Sequence, residues 1–208
     1  MEYLPRFFDP PQQSFFLFGP RGTGKTSWIR HVYSNALVVD LLRPDIYRSM
    51  GARPERLEEL VRGDPGRHPV VVDEVQRVPE LLNVVHRLIE LHSGLQFVLT
   101  GSSARKLRRG GVDLLAGRAL NRALHPFMAA ELPGFSFDEA LNYGLLPVVV
   151  ASPRPTEVLD AYATLYLEEE VRAEGWARNV GDFARFLEAV SFSHGAVLNV
   201  TNVARECQ

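Results

Sequence analysis

Four apolar residues, Phe15-Phe16-Leu17-Phe18, run straight into Gly19-Pro20-Arg21-Gly22-Thr23-Gly24-Lys25-Thr26-Ser27, which opens into Trp28-Ile29-Arg30. The turn has the spacing G-x-x-x-x-G-K-[ST], with Gly19 and Gly24 as its fixed glycines and Lys25-Thr26 at its close. A buried strand before the turn and a helix after it are the context this pattern needs, and continuous apolarity implies a strand buried on both faces, as in a parallel sheet. Glycine lets backbone wrap closely around phosphate oxygens, because no Cβ blocks the approach or the dihedrals required. The loop N–H groups and the start of the helix turn partial positive charge toward those oxygens. Lys25 adds a full charge at the β- and γ-phosphates, and the Thr26 hydroxyl is a Mg²⁺ ligand. Gly19 to Ser27 is therefore the candidate nucleotide-binding segment.

A second landmark stands downstream. Pro69-Val70-Val71-Val72-Asp73-Glu74-Val75-Gln76 is a β-branched strand with two acids at its carboxyl end. In open parallel sheets ligands bind at that end of the strands. Asp73 is placed to help hold the Mg²⁺ shell, and Glu74 to orient or deprotonate an attacking water. These are the Walker A and Walker B elements of a nucleotide site.

Ala36 to Leu41 reads as a further buried strand, another is expected at Leu95 to Thr100, and one more leads through Leu124. Short helices fill residues 43 to 62. A stronger amphipathic helix starts at Pro79, with Leu81, Val84, Val85, Leu88 and Ile89 on one side. Thr100 and Ser102, at the end of the fourth strand, are candidates for contact with the γ-phosphate or its water. Ser102 or Ser103 serves equally as an N-cap. Arg118 is either an arginine finger or an ordinary salt-bridged arginine. Residues 1–14 form an arm that packs on the core or lies beside the adenine ring. The basic run Ala104 to Gly111 reads first as a solvated helix face, and otherwise as a contact for nucleic acid or an acidic subunit.

Composition bounds the rest. Of 208 residues, 46% are hydrophobic and 23% charged, so a sizeable core is available, and a net charge of −2 is not that of a dedicated nucleic-acid binder. The lone Cys207 leaves no internal disulfide framework. The N-terminus has no signal-peptide pattern, and the apolar run Leu145 to Ala151 is too short to span a bilayer. The expectation is a cytoplasmic chain without membrane insertion.

Past Phe127, Ser136 and Glu139 form a capping box, and residues 152–155 read as a linker. Amphipathic helices follow from Thr156 and from Asp182 to Val190, with Thr201 read as the N-cap of a last helix. Glu168-Glu169-Glu170 reads as a solvated acidic face.

The runs Gly19 to Thr26, Val71 to Leu81, Leu99 to Leu107 and Leu115-Ala116-Gly117-Arg118-Ala119 together resemble prokaryotic AAA+-related P-loop ATPases that carry a C-terminal domain of unknown function. The likeness extends over nearly the whole chain. It implies Walker A roles for Lys25 and Thr26, Walker B roles for Asp73 and Glu74, a sensor at Thr100 or Ser102, and a finger at Arg118. It also implies a five-stranded parallel sheet in the order 5-1-4-3-2, which periodicity does not supply. The domains implied are an arm (1–14), an ATPase domain (15–135), a connecting segment (136–155) and the start of a helical C-terminal domain (156–208). The family pattern continues further, so the chain reads as stopping inside that domain.

The leading expectation is a Mg²⁺-dependent ATPase that couples turnover to a C-terminal domain contacting protein or DNA, as a monomer or a homo-oligomer. A low-turnover, nucleotide-gated interaction module is the alternative. A small-molecule phosphotransferase is weaker, since no acceptor-binding lid is evident.

Overall fold

The computed structural model describes residues 3–102, 104, 107, 115, 117–165, 180–193, 195 and 197–207. Chain contacts divide it into two units, 1–151 and 152–208. Outside the described residues lie Ser103, the basic run apart from Ala104 and Leu107, and the triplet at 168–170.

The first unit is built on five parallel strands: β1 (Phe15–Phe18), β2 (Leu37–Asp40), β3 (Val70–Asp73), β4 (Phe97–Gly101) and β5 (Leu120–Ala123). Their order is β2-β3-β4-β1-β5, the order implied by the family resemblance read from the other edge. β1 lies between β4 and β5, with Phe15 opposite both Val98 and Leu120. Successive side chains of a strand point to opposite faces. Phe15 and Leu17 accordingly join Val71, Val98 and Leu124 in one core, against Trp28 and Ile29 of α1 (Lys25–Val32). Phe16 and Phe18 join Val70, Val72, Phe97 and Leu99 in the other. That second core is closed by α2 (Pro44–Ala52), α3 (Arg56–Gly63) and α4 (Leu81–Leu91). Both faces of β1 are thus dry, and each large apolar side chain stabilises the fold by roughly 1.5–3 kcal/mol.

Three expectations need correction. β2 was expected to be buried, yet Val38 is 46% exposed while Val39 is 2% exposed: the two point to opposite faces of this edge strand, and only the Val39 face is packed into a core. The helix expected from Pro79 begins at Leu81, since the chain first makes a 3-10 turn over Val75–Arg77. The last helix is capped by Asn199 instead of Thr201: the Asn199 side chain accepts a hydrogen bond from the Asn202 N–H at 3.1 Å.

The N-terminal arm packs on the first unit. Tyr3 stacks on His31 with ring centroids 3.8 Å apart, and Phe8 meets Trp28 edge-on at 4.9 Å. Arg6 goes further. Its guanidinium pairs with Glu131 at 3.2 Å and donates to the carbonyls of Thr23 at 2.9 Å, His125 at 2.6 Å and Pro126 at 3.2 Å. It also lies over the Phe127 ring. The Glu131 carboxylate accepts from the Phe7 N–H at 2.6 Å and the Met128 N–H at 2.8 Å. One buried ion pair therefore ties the arm and the segment after β5 to the glycine-rich loop.

Beyond β5, Ser136 caps α5 (Phe137–Tyr143), and Pro147 opens the short α6 (Pro147–Val150). The second unit contains α7 (Pro155–Leu165), α8 (Val180–Ser191) and α9 (Val200–Glu206). Ala189 and Val203 are its buried apolar residues on α8 and α9. No helix among the described residues is long and apolar enough to cross a membrane.

Two stability outcomes follow from this packing. Trp28→Ala, which empties the α1 side of the core, is expected to cost roughly 3–5 kcal/mol in urea unfolding. Glu131→Gln leaves the buried Arg6 without its counter-charge and is expected to cost about 3 kcal/mol at neutral pH. Burial alone pushes the Glu131 carboxyl up, but the Met128 and Phe7 N–H groups and Arg6 outweigh it and hold it below its ordinary value of 4.5. A lowered folded value means stabilisation that is present above 4.5 and lost as pH falls through the folded value. The stability gap between wild type and Glu131→Gln should therefore narrow on acidification below that point. A gap independent of pH would show that the charge of Glu131 plays no part.

Candidate nucleotide-binding and hydrolysis site

Because all five strands are parallel, β1, β3 and β4 deliver Gly19, Asp73 and Gly101 to one edge of the sheet. Gly19 has no room for a side chain, since a Cβ there would lie 2.3 Å from the Leu124 carbonyl oxygen. Thr23 closes the loop by donating from its hydroxyl to the Pro20 carbonyl at 2.9 Å. Gly24 takes a left-handed conformation, φ 85°, and α1 starts at the next residue. The first-turn N–H groups of α1 have no intrahelical partner, so partial positive charge gathers at the loop.

Lys25 is 7% exposed, and its ammonium donates to the Gly19 carbonyl at 2.6 Å and the Pro20 carbonyl at 3.2 Å. The loop thus curls around its own cation. Thr23 is buried, whereas Pro20, Arg21 and Ser27 are exposed, and Gly22 and Thr26 are half-buried. A Cβ on Gly22 would meet Val148 at 2.9 Å and Leu146 at 3.4 Å, so the start of α6 packs directly on the loop.

Asp73 is the junction. Its carboxylate, 3% exposed, accepts from the Thr26 hydroxyl at 3.0 Å and from the fully buried Thr100 hydroxyl. Thr100 also accepts from the Glu74 N–H at 2.9 Å. Three segments far apart in sequence are thereby fixed around one carboxylate. A hydroxyl and a carboxylate oxygen side by side suit Mg²⁺, a hard cation that takes oxygen donors and keeps several waters. The donor set of Thr26 and Asp73 fits that ion.

Glu74 is in the left-handed region, φ 62° and ψ 46°, a conformation costing a non-glycine residue roughly 1–2 kcal/mol. It begins the 3-10 turn, and its carboxylate accepts a hydrogen bond from the Gln76 side-chain amide. Ser102 lies one residue past β4, on the same edge as Asp73 and the loop.

Arg118 is elsewhere. It precedes β5, whose Leu120 pairs with Phe15 at the start of β1, four residues before Gly19. At roughly 3.3 Å per residue, about 13 Å of strand separates that level from the loop. Its guanidinium pairs with Glu90 near the end of α4 at 2.6 Å. Glu90 is held below the ordinary carboxylate range by the Arg118 hydrogen bond and charge, with His86 adding to it. Lys25, Thr26, Asp73, Glu74, Thr100 and Ser102 are therefore brought together, and Arg118 is not among them.

Arg6, Gln76 and Glu131 are absent from the sequence-derived site. Gln76 carried a signal, standing two residues after Glu74 in the same run. Arg6 and Glu131 are 125 residues apart, with nothing local to join them.

A search of curated proteins found no match. The family model described as an AAA domain matches residues 11–133, more than half of the chain and the whole of the sheet and loop described above. A P-loop on β1, an acidic β3 end and a five-stranded sheet in this order agree with that match, and the chain belongs to the AAA domain family of P-loop, nucleotide-binding ATPase-like proteins.

Proposed function

We propose that this chain hydrolyses ATP to ADP and phosphate with Mg²⁺ as cofactor, at the edge formed by β1, β3 and β4. The observation that carries the proposal is the hydrogen-bonded chain Thr26–Asp73–Thr100–Glu74, which couples the phosphate loop to an acidic pair at the next strand but one. Lys25 and the N–H groups of residues 19–27 position the phosphates. Thr26 and Asp73 hold Mg²⁺, which when bound neutralises charge on the β- and γ-phosphate oxygens. Glu74 accepts a proton from the attacking water, whose oxygen bonds to the γ-phosphorus as the bond to the ADP oxygen breaks. Thr100 acts through Asp73 and Glu74, because its hydroxyl is committed to both. Ser102 remains the residue for the γ-phosphate side of the edge.

Leu146 and Val148 against Gly22 support coupling of turnover to the second unit, since α6 ends just before residue 152. A change in the loop acts directly on the segment that leads there. That unit is proposed to contact a protein or DNA partner, in the cytoplasm. Arg118, at the opposite edge from its own loop, fits a finger for a nucleotide held by a second copy of the chain.

Glu74→Gln is expected to bind ATP as wild type does while hydrolysing it roughly 10²–10⁴-fold more slowly. Lys25→Ala should lose nucleotide binding. Fluorescent-nucleotide titration and phosphate release measure the two effects separately, and equal turnover in Glu74→Gln and wild type would remove Glu74 as the base. No phosphate release from wild type over hours, despite tight ATP binding, would favour a nucleotide-gated switch. For Arg118, mixing two inactive variants is decisive. Arg118→Ala keeps its loop and Lys25→Ala keeps its arginine, so a mixture should regain turnover that neither has alone. No recovery at concentrations where copies associate would rule out action in trans.

A further inference from the structure

Gln76 takes no part in holding phosphate or metal, yet its side chain occupies the reacting edge. The Nε2 amide donates to Glu74 Oε2. This orientation of the amide is assigned from chemistry: a carboxylate oxygen accepts only from the NH₂ end, which turns the carbonyl the other way. That carbonyl, Gln76 Oε1, is buried and has no hydrogen-bond partner among the described residues. A buried acceptor left unmatched is rare in folded proteins, so the amide is held here by Glu74 although its own carbonyl goes without a partner among those residues.

The position of Oε1 says which edge it serves. It lies against Gly101, the last residue of β4, where a Cβ would come within 2.7 Å of it. β4 runs between β1 with its phosphate loop and β3 with Asp73, so the unmatched carbonyl stands at the edge where phosphate and metal are held. Glu74 meanwhile has Oε2 engaged by the amide, which leaves Oε1 of the carboxylate as the proton acceptor.

From this geometry we infer that Gln76 positions the proton acceptor of the water-activation step: its amide engages Oε2 of Glu74 and so fixes the carboxylate that takes the proton of the attacking water. The inference rests on the reading of Glu74 as the base. Gly101 belongs to the same device, because any side chain there would push the Gln76 amide aside. The atom it would meet is the end of a flexible side chain, and Gly101 is not in the left-handed region, so alanine is accommodated by moving Gln76 and not the strand.

Single-turnover phosphate release from Mg·ATP by the 208-residue chain tests this, with nucleotide affinity and thermal midpoint measured on each variant. Gln76→Ala is expected to slow the chemical step by about 10²-fold, the scale of losing alignment at a reacting atom, with nucleotide affinity unchanged. Gly101→Ala reaches the same amide from another strand and should slow the step in the same way while remaining folded. In a Glu74→Gln background, Gln76→Ala should have no further effect, since the two residues act as one unit. A Gln76→Ala rate equal to wild type overturns the inference. So does a loss of the same size in the Glu74→Gln background, or one matched by weaker nucleotide binding, because both mark a merely structural role. Failure of the underlying reading looks different: Glu74→Gln would then match wild type, or wild type would release no phosphate, and Gln76 would lose its role along with the base.

Discussion

Asp73 is a charged group buried to 3% exposure, and the first unit is organised so that this is tolerable. A carboxylate removed from water without partners is strongly disfavoured. Here one oxygen accepts from Thr26, at the start of α1, and the other from Thr100, on β4. Those hydroxyls reach Asp73 only if β1, β4 and β3 lie in that order and in register, with Phe16 beside Leu99 and Leu99 beside Val72. The requirement to solvate one carboxylate with protein oxygens therefore constrains strand order, register and the geometry of the turn at once. The strand order is chemical as much as topological, because it is what carries Thr100 to Asp73.

The sheet around it was legible because both of its faces are covered. Continuous apolar runs such as Phe15-Phe16-Leu17-Phe18 and Val70-Val71-Val72 mark strands with a core on each side, and both cores are present. The edge strands were the less readable part. β2 carries the same apolar signal as β3, but only its Val39 face is packed into a core while the Val38 face is left uncovered, and composition does not encode which face of an edge strand is covered. The phosphate loop and the acidic pair were legible for a different reason: each is a local run whose function needs those residue types at that spacing. Gln76 shared the run but had no assigned chemistry until the fold set its amide against Glu74 and its carbonyl against Gly101.

What sequence reasoning could not reach are the long-range polar contacts. Arg6 sits in an irregular, proline-rich arm and Glu131 in a 3-10 turn after the last strand, and neither position carries a period or a motif. Yet Arg6 holds the carbonyls of Thr23, His125 and Pro126 together, and Glu131 neutralises it. A glycine-rich loop is permissive by composition, and the glycines that let it approach phosphate also let it collapse. The ion pair supplies from outside the stiffness that the loop sequence lacks. Val148 and Leu146 against Gly22 add an apolar wall on the same loop.

These contacts divide labour between the two edges of the sheet. At the carboxyl edge, Lys25 and Asp73 are buried and Glu74 is half-buried, each with partners inside the unit, which favours fixed geometry over adaptability. At the amino edge, Arg118 and Glu90 form a pair whose side chains are 38% and 52% exposed, and such pairs contribute little to stability. The loop's chemistry is local and so was legible, whereas the sequence left Arg118 open between a finger and a salt bridge, and only the fold supplies its partner Glu90, 28 residues away on α4.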